Sequence, residues 1–216
     1  MPAYRATAQL LKDYRLKKND ISKRLESFKK LDRLSERQVF EELAFCIFTP
    51  GSKALNGDKA VKELKRQNLL FKGNRDSIAK GLRGIVRFHN NKALYLTQAR
   101  RYFKKGLKFN IKSFVLAHNP FMVRERLAQE VKGIGYKEAS HFLRNIGLGR
   151  DLAILDTHIL KNLKRLNVIT EIPVSIAKKK YLCLESKMNE FSKYVKIPIN
   201  ALDLLFWSHE TGFIYK

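Results

Sequence analysis

Acidic residues are scarce in this chain: 20 Asp and Glu stand against 44 Lys and Arg in 216 residues, a formal net charge of +24. That imbalance exceeds what solubility needs and points to a polyanionic partner, one whose binding weakens steeply as salt rises. Cysteine is scarce as well. Cys46 and Cys183 are far apart, each within an apolar stretch, and read as reduced core residues. His89, His118, His141, His158 and His209 are isolated from one another, so no metal site is expected. No apolar run approaches the ~18 residues of a membrane span, and the N-terminus lacks the apolar core of a secretion signal. The expectation is a soluble cytoplasmic protein without membrane contact. No internal repeat or low-complexity tract occurs.

What is present is a chain with 44% hydrophobic residues, long enough for one core or two small ones. The basic residues are spread along apolar-periodic segments, which favours a folded globule over a disordered basic tail. Glycine and proline divide the chain into helix-length pieces with no sustained period-two alternation, so the fold class is all-α. One or two basic helices are expected over 8–30. Ser35 and Gln38 form a capping box before the apolar segment VFEELAFCIF. Further helices are predicted near 53–67, 90–104, 120–132, 136–146, 157–166, 174–195 and 199–209. Linkers are expected at Pro50-Gly51, Asn74-Arg75-Asp76, Ile172-Pro173 and Ile197-Pro198.

The densest chemistry lies in VKGIGYKEASHFLRNIGLGRDLAILD, from Val131 to Asp156. Asn119-Pro120 supplies a cap and a first-turn proline for a helix that should end at Gly133. Gly133 and Gly135 flank Ile134, so the backbone can turn sharply and present amides to a phosphate while Ile134 plugs the gap between two helices. Alone, GxG is also compatible with a plain helix turn. Lys137 falls in the first turn of the second helix, where its charge opposes the helix dipole; an amine becomes nucleophilic only when neutral, and desolvation and positive neighbours favour that form. A solvated surface lysine is the ordinary alternative. Asp156 precedes the amphipathic THILKNLKRL and is a good N-cap, which would also keep its carboxylate ionised and fixed beside a developing cation.

GIGYK followed by LDTHIL resembles the helix-hairpin-helix DNA glycosylase superfamily. Within it, GYKEASHFLRNIG, RFHNNKA and the tail ending in lysine resemble the archaeal and bacterial 8-oxoguanine DNA glycosylase/AP lyase family, over roughly residues 41–216. The resemblance implies a two-domain fold, with 1–40 and 157–216 forming one helical domain, 41–156 the other, and the active site in the cleft between them. It implies a double-stranded DNA partner containing 8-oxoguanine, a nucleoid-associated setting in a prokaryote, and a monomer. Lys137 is then the nucleophile at C1′ and Asp156 the supporting carboxylate; no cofactor is expected, a monovalent cation at the hairpin being the one addition left open. By itself Trp207 reads as a core aromatic; in the family a tryptophan here and the aromatic Phe88 sandwich the flipped base. Lys216, with its carboxylate, is implied in reading the hydrogen on N7 of the oxidised base. The four closely spaced cysteines of cluster-bearing relatives are absent. Gly51 departs from the pattern, standing where many superfamily members carry Gln or Asn to fill the hole left by the flipped base; Ser52 and Lys53 are the neighbours that could replace it. Two alternatives stay open: a related glycosylase for oxidised pyrimidines, and a non-catalytic module that uses the hairpin for phosphate contact only.

Overall fold

The computed structural model describes residues 4–28, 31–106 and 108–215. Among them the elements run α1 (Thr7–Ser27), α2 (Glu36–Phe48), α3 (Ala54–Arg66), α4 (Leu69–Lys72), α5 (Arg75–Leu82), α6 (His89–Phe103), α7 (Ile111–Leu116), α8 (Pro120–Glu130), α9 (Tyr136–Asn145), α10 (Thr157–Arg165), α11 (Lys178–Val195) and α12 (Ile199–Thr211). One short antiparallel pair, Lys104–Lys105 with Lys108–Phe109, interrupts an otherwise helical chain. None of these helices is long and apolar enough to cross a membrane.

Local chemistry explains most boundaries. The Ser35 side chain accepts from the Gln38 amide while Gln38 accepts from the Ser35 amide, closing the capping box that starts α2. Asn119 caps α8 ahead of Pro120. Asn74, expected in a linker, instead caps α5 by accepting from the Ser77 amide at 2.9 Å; α4, α5 and α7 are too short for periodicity to reveal. Helix α11 starts at Lys178 and not at 174: β-branched Val174 and Ile176 follow Pro173, and Val174 is fully exposed. On α11 the buried positions are Tyr181, Leu184, Glu185, Met188, Phe191 and Val195. Cys183 falls off that stripe and is exposed, correcting its reading as a core residue; Cys46 is buried.

The chain divides into two compact units, residues 1–29 with 149–216 and residues 30–148. The sequence suggested breaks at 40/41 and 156/157. Packing moves both. Helix α2 lies against α3, α6, α7 and α9, so the residues leading into it belong with the central unit. The segment before Asp156 is tied to α11 and belongs with the terminal unit.

In the central unit α2 is the core element. Val39, Phe40, Leu43, Ala44, Phe45, Cys46, Ile47 and Phe48 are all buried, so the second half of the helix is covered on every side. The Glu36 carboxylate accepts from the first-turn amides of α7, Ile111 at 2.8 Å and Lys112 at 3.0 Å. Helices α8 and α9 enclose Arg124, whose guanidinium lies 5.6 Å from the Phe121 ring centre and 5.2 Å from that of Tyr136.

In the terminal unit α12 packs on α1, α10 and α11. Lys17 of α1 donates to Ser208 of α12 at 3.0 Å, and Asn162 of α10 donates to the Phe206 carbonyl of α12 at 3.4 Å. Residues 152–155 run buried and non-helical toward Asp156. A buried non-helical backbone must find its partners elsewhere. The Tyr181 hydroxyl donates to the Ala153 carbonyl at 2.7 Å and accepts from the Leu155 amide, and the Glu185 carboxylate accepts from the Ala153 amide at 2.8 Å. Tyr181→Phe strands two of these groups and is expected to lower the unfolding free energy by about 1–3 kcal/mol. An earlier urea midpoint at an unchanged slope would show this; an unmoved midpoint would mean the tyrosine does not hold the segment.

Candidate active site

The link between α8 and α9 turns at Gly133, whose φ of +84° is left-handed. A side chain there would also collide with the Tyr95 ring of α6. Ile134 is buried between the helices, and its amide donates to the Val131 carbonyl at 3.1 Å. The Gly135 amide donates to the Glu138 carboxylate at 3.2 Å. The N-terminus of α9 therefore already carries an internal carboxylate, where the sequence suggested an unencumbered face for an anion. A phosphate arriving here would have to compete with Glu138 for the backbone donors of the turn. Glu138 was missed as a site residue, although its spacing from Gly135 is that of a capping box.

Lys137 sits in the first turn of α9 with its side chain about one quarter exposed, its Nζ 2.9 Å from Glu138 Oε1. Lys92 is the nearby cation: burial first, and then repulsion from the charges of Lys137 and Arg87, depress the Lys92 amine. Both a proton acceptor and a destabilising cation thus stand beside the amine.

Asp156 is the N-cap of α10 and accepts from the Ile159 amide at 2.8 Å. Tyr181 and Glu185, through residues 153 and 155, set where the chain delivers it. Neither was visible as a site residue in the sequence, since both act from α11 on backbone atoms.

Phe88 caps α6 with φ +57° and is 60% exposed, a conformation and an exposure both unusual for an aromatic residue. The Arg87 guanidinium stands 5.3 Å from its ring centre. Gly51, itself at φ +66°, lies against that ring: a β carbon built on it would be 3.1 Å from Phe88 Cε2. The loop thus has a physical reason to lack the longer side chain expected there.

Trp207, on α12, is partly exposed within an aromatic cluster. Tyr215 stacks on it at 6.0 Å, while Phe213 at 5.4 Å and His158 at 6.3 Å meet it edge-on. His158 lies on α10 two residues beyond Asp156, so the packing of α10 on α12 brings the surroundings of Asp156 and Trp207 together. Lys216 lies outside the described residues.

Comparison with known proteins places these features in a family. The family model described as 8-oxoguanine DNA glycosylase matches residues 21–197. The 8-oxoguanine DNA glycosylase/AP lyase of Fusobacterium nucleatum is 40% identical over 96% of this chain and 96% of its own length, and that of Methanocaldococcus jannaschii 38% identical over 92% and 93%. The crystal structure of the Methanocaldococcus jannaschii 8-oxoguanine glycosylase/lyase, in complex with 15mer DNA containing 8-oxoguanine, is similar with a TM-score of 0.86 at 36% identity, covering 96% of this chain and 100% of that one. The 8-oxoguanine DNA glycosylase of Thermotoga maritima is similar with a TM-score of 0.86 at 33% identity, over 97% of this chain and 98% of that one. With a hairpin that carries an amine in its second helix and a carboxylate capping α10, the chain belongs to the 8-oxoguanine DNA glycosylase family.

Proposed function

We infer that the chain is a bifunctional repair enzyme that excises 8-oxoguanine from double-stranded DNA and then cleaves the strand at the resulting abasic site. The observation that carries this reading is Lys137: a primary amine in the first turn of the hairpin helix, between an acceptor carboxylate and a repelling cation. A module that only grips phosphate needs no such amine. The relatives named as 8-oxoguanine DNA glycosylase/AP lyase support the substrate, and the +24 charge suits the polyanion.

The chemistry follows from these groups. With the target nucleotide flipped out of the duplex, the neutral Lys137 amine attacks C1′ and the bond to the base breaks; the base leaves with a proton and the nitrogen loses one. Asp156, fixed by the Ile159 amide, stabilises the positive charge that develops on the sugar. The imine left at C1′ acidifies the C2′ proton. Its removal expels the 3′ phosphate by elimination, and hydrolysis of the imine frees the enzyme. Phe88 and Trp207 supply aromatic faces for the flipped base, and Gly133, Ile134 and Gly135 shape the phosphate-binding turn. In the loop after α2, Ser52 is engaged by Lys92 and Arg87, which leaves the exposed Lys53 to enter the space vacated by the base.

Borohydride trapping on duplexes holding 8-oxoguanine, with thymine glycol as comparison, tests the reading. Wild type should form a covalent adduct with the former, and no adduct would sink it; preference for thymine glycol would move the chain to oxidised pyrimidines. Lys137→Gln should bind the damaged duplex yet neither trap nor cleave. Asp156→Asn should stay folded and bind while single-turnover excision falls by about 100-fold or more, the scale set by loss of an electrostatic stabiliser. Full rates in Lys137→Gln would remove that residue as nucleophile.

A further inference from the structure

We propose that Lys92 is a positioning residue for base recognition: its buried side chain locks the turn after α2 against the backbone of Phe88 and so sets the aromatic face offered to the flipped base. This rests on the assignment of Phe88 as a stacking surface made above. Lys92 lies one turn into α6 and is 3% exposed. Its Nζ donates to the Phe48 carbonyl at 2.7 Å, the Pro50 carbonyl at 2.8 Å and the Ser52 hydroxyl at 3.0 Å. An ammonium has three hydrogens, and each has an acceptor here.

The link to Phe88 is built from both sides. The Ser52 hydroxyl that accepts from Lys92 also accepts from the Arg87 amide at 3.0 Å, immediately before Phe88. The Phe88 carbonyl accepts from the Lys92 amide at 3.0 Å. Between these bonds the Phe88 backbone is held in the left-handed region, a conformation that persists for an aromatic only when its surroundings over-determine it. Gly51, inside the clamped turn, lies against the ring itself. Burial, together with the charges of Lys137 and Arg87, pushes the Lys92 amine down to about 8, so near neutral pH it remains an ammonium able to fill all three bonds.

The test separates a base-dependent step from one that needs no base. Single-turnover excision of 8-oxoguanine uses the stacking face, whereas cleavage at a preformed abasic site does not. Ser52→Ala is expected to slow excision about tenfold or more, the order of one lost base–aromatic stack, while abasic-site cleavage changes within about twofold; Lys92→Met should slow excision at least as much and, because it also removes the charge beside Lys137, should slow abasic-site cleavage as well. Ser52→Ala retains the charge near Lys137 and removes only the hydroxyl that accepts from both Lys92 and the Arg87 amide. In a Phe88→Ala background, adding Ser52→Ala should cost less than about twofold further, because the face being positioned is gone. Equal losses on both substrates in Ser52→Ala, or an undiminished loss when it is added to Phe88→Ala, would overturn the proposal. Should Lys92→Met fail to fold by circular dichroism, Ser52→Ala carries the same comparison. Wild type failing to excise 8-oxoguanine would instead overturn the functional reading, an outcome distinct from any result of these variants.

Discussion

The central unit is organised around a helix that ends inside the protein. Because the second half of α2, Leu43 to Phe48, is apolar on every face, the chain can cover it completely, but complete cover carries its last carbonyls away from water. Unpaired, those carbonyls would cost more than the burial of a single side chain recovers. Thr49 takes the Phe45 and Cys46 carbonyls, and Lys92 takes that of Phe48 with an ammonium at the negative end of the helix dipole, where a cation is favoured. The solution constrains its surroundings in turn. The ammonium's remaining hydrogens fix Pro50 and Ser52, Gly51 is left in a conformation suited to glycine, and Phe88 is seated against it. An exposed aromatic wall thus follows from the need to satisfy a buried helix end.

What the sequence made legible was local. The hairpin glycines, the capping box at Ser35, the Asn119-Pro120 start and the N-cap role of Asp156 all depend on residues within four positions of one another, and the structure places each where its local chemistry directs. Lys92 was beyond such reading. Its acceptors lie 40 to 44 residues away, and two of them are backbone oxygens with no signature in a side-chain pattern. Tyr181 and Glu185 were hidden for the same reason, being on an amphipathic helix whose apolar stripe gave no hint that two of its members bond to a distant backbone segment. Cys183 shows the converse error: an apolar neighbourhood in sequence does not place a residue on the buried stripe of its helix.

The environment of Lys137 is a balance that composition could not reveal. A chain with this excess of basic residues suggests a uniformly positive neighbourhood, yet the side chain nearest the amine in the first turn of α9 is a carboxylate. Glu138 does two things at once, accepting from the Gly135 amide and pairing with Lys137, so the groups that would grip a phosphate and the group that would attack a sugar share one counterion. Coulomb's law then couples them. A phosphate at the N-terminus of α9 would repel the Glu138 carboxylate and compete with it for the Gly135 amide, and so would loosen its pairing with Lys137. Lys92, fixed by its three acceptors, cannot move to relieve its own repulsion with Lys137, so the two like charges are held near one another. A phosphate at the hairpin and the amine of Lys137 would thus be coupled through one carboxylate, with Lys92, the lysine that holds the turn after α2, as the fixed charge beside them.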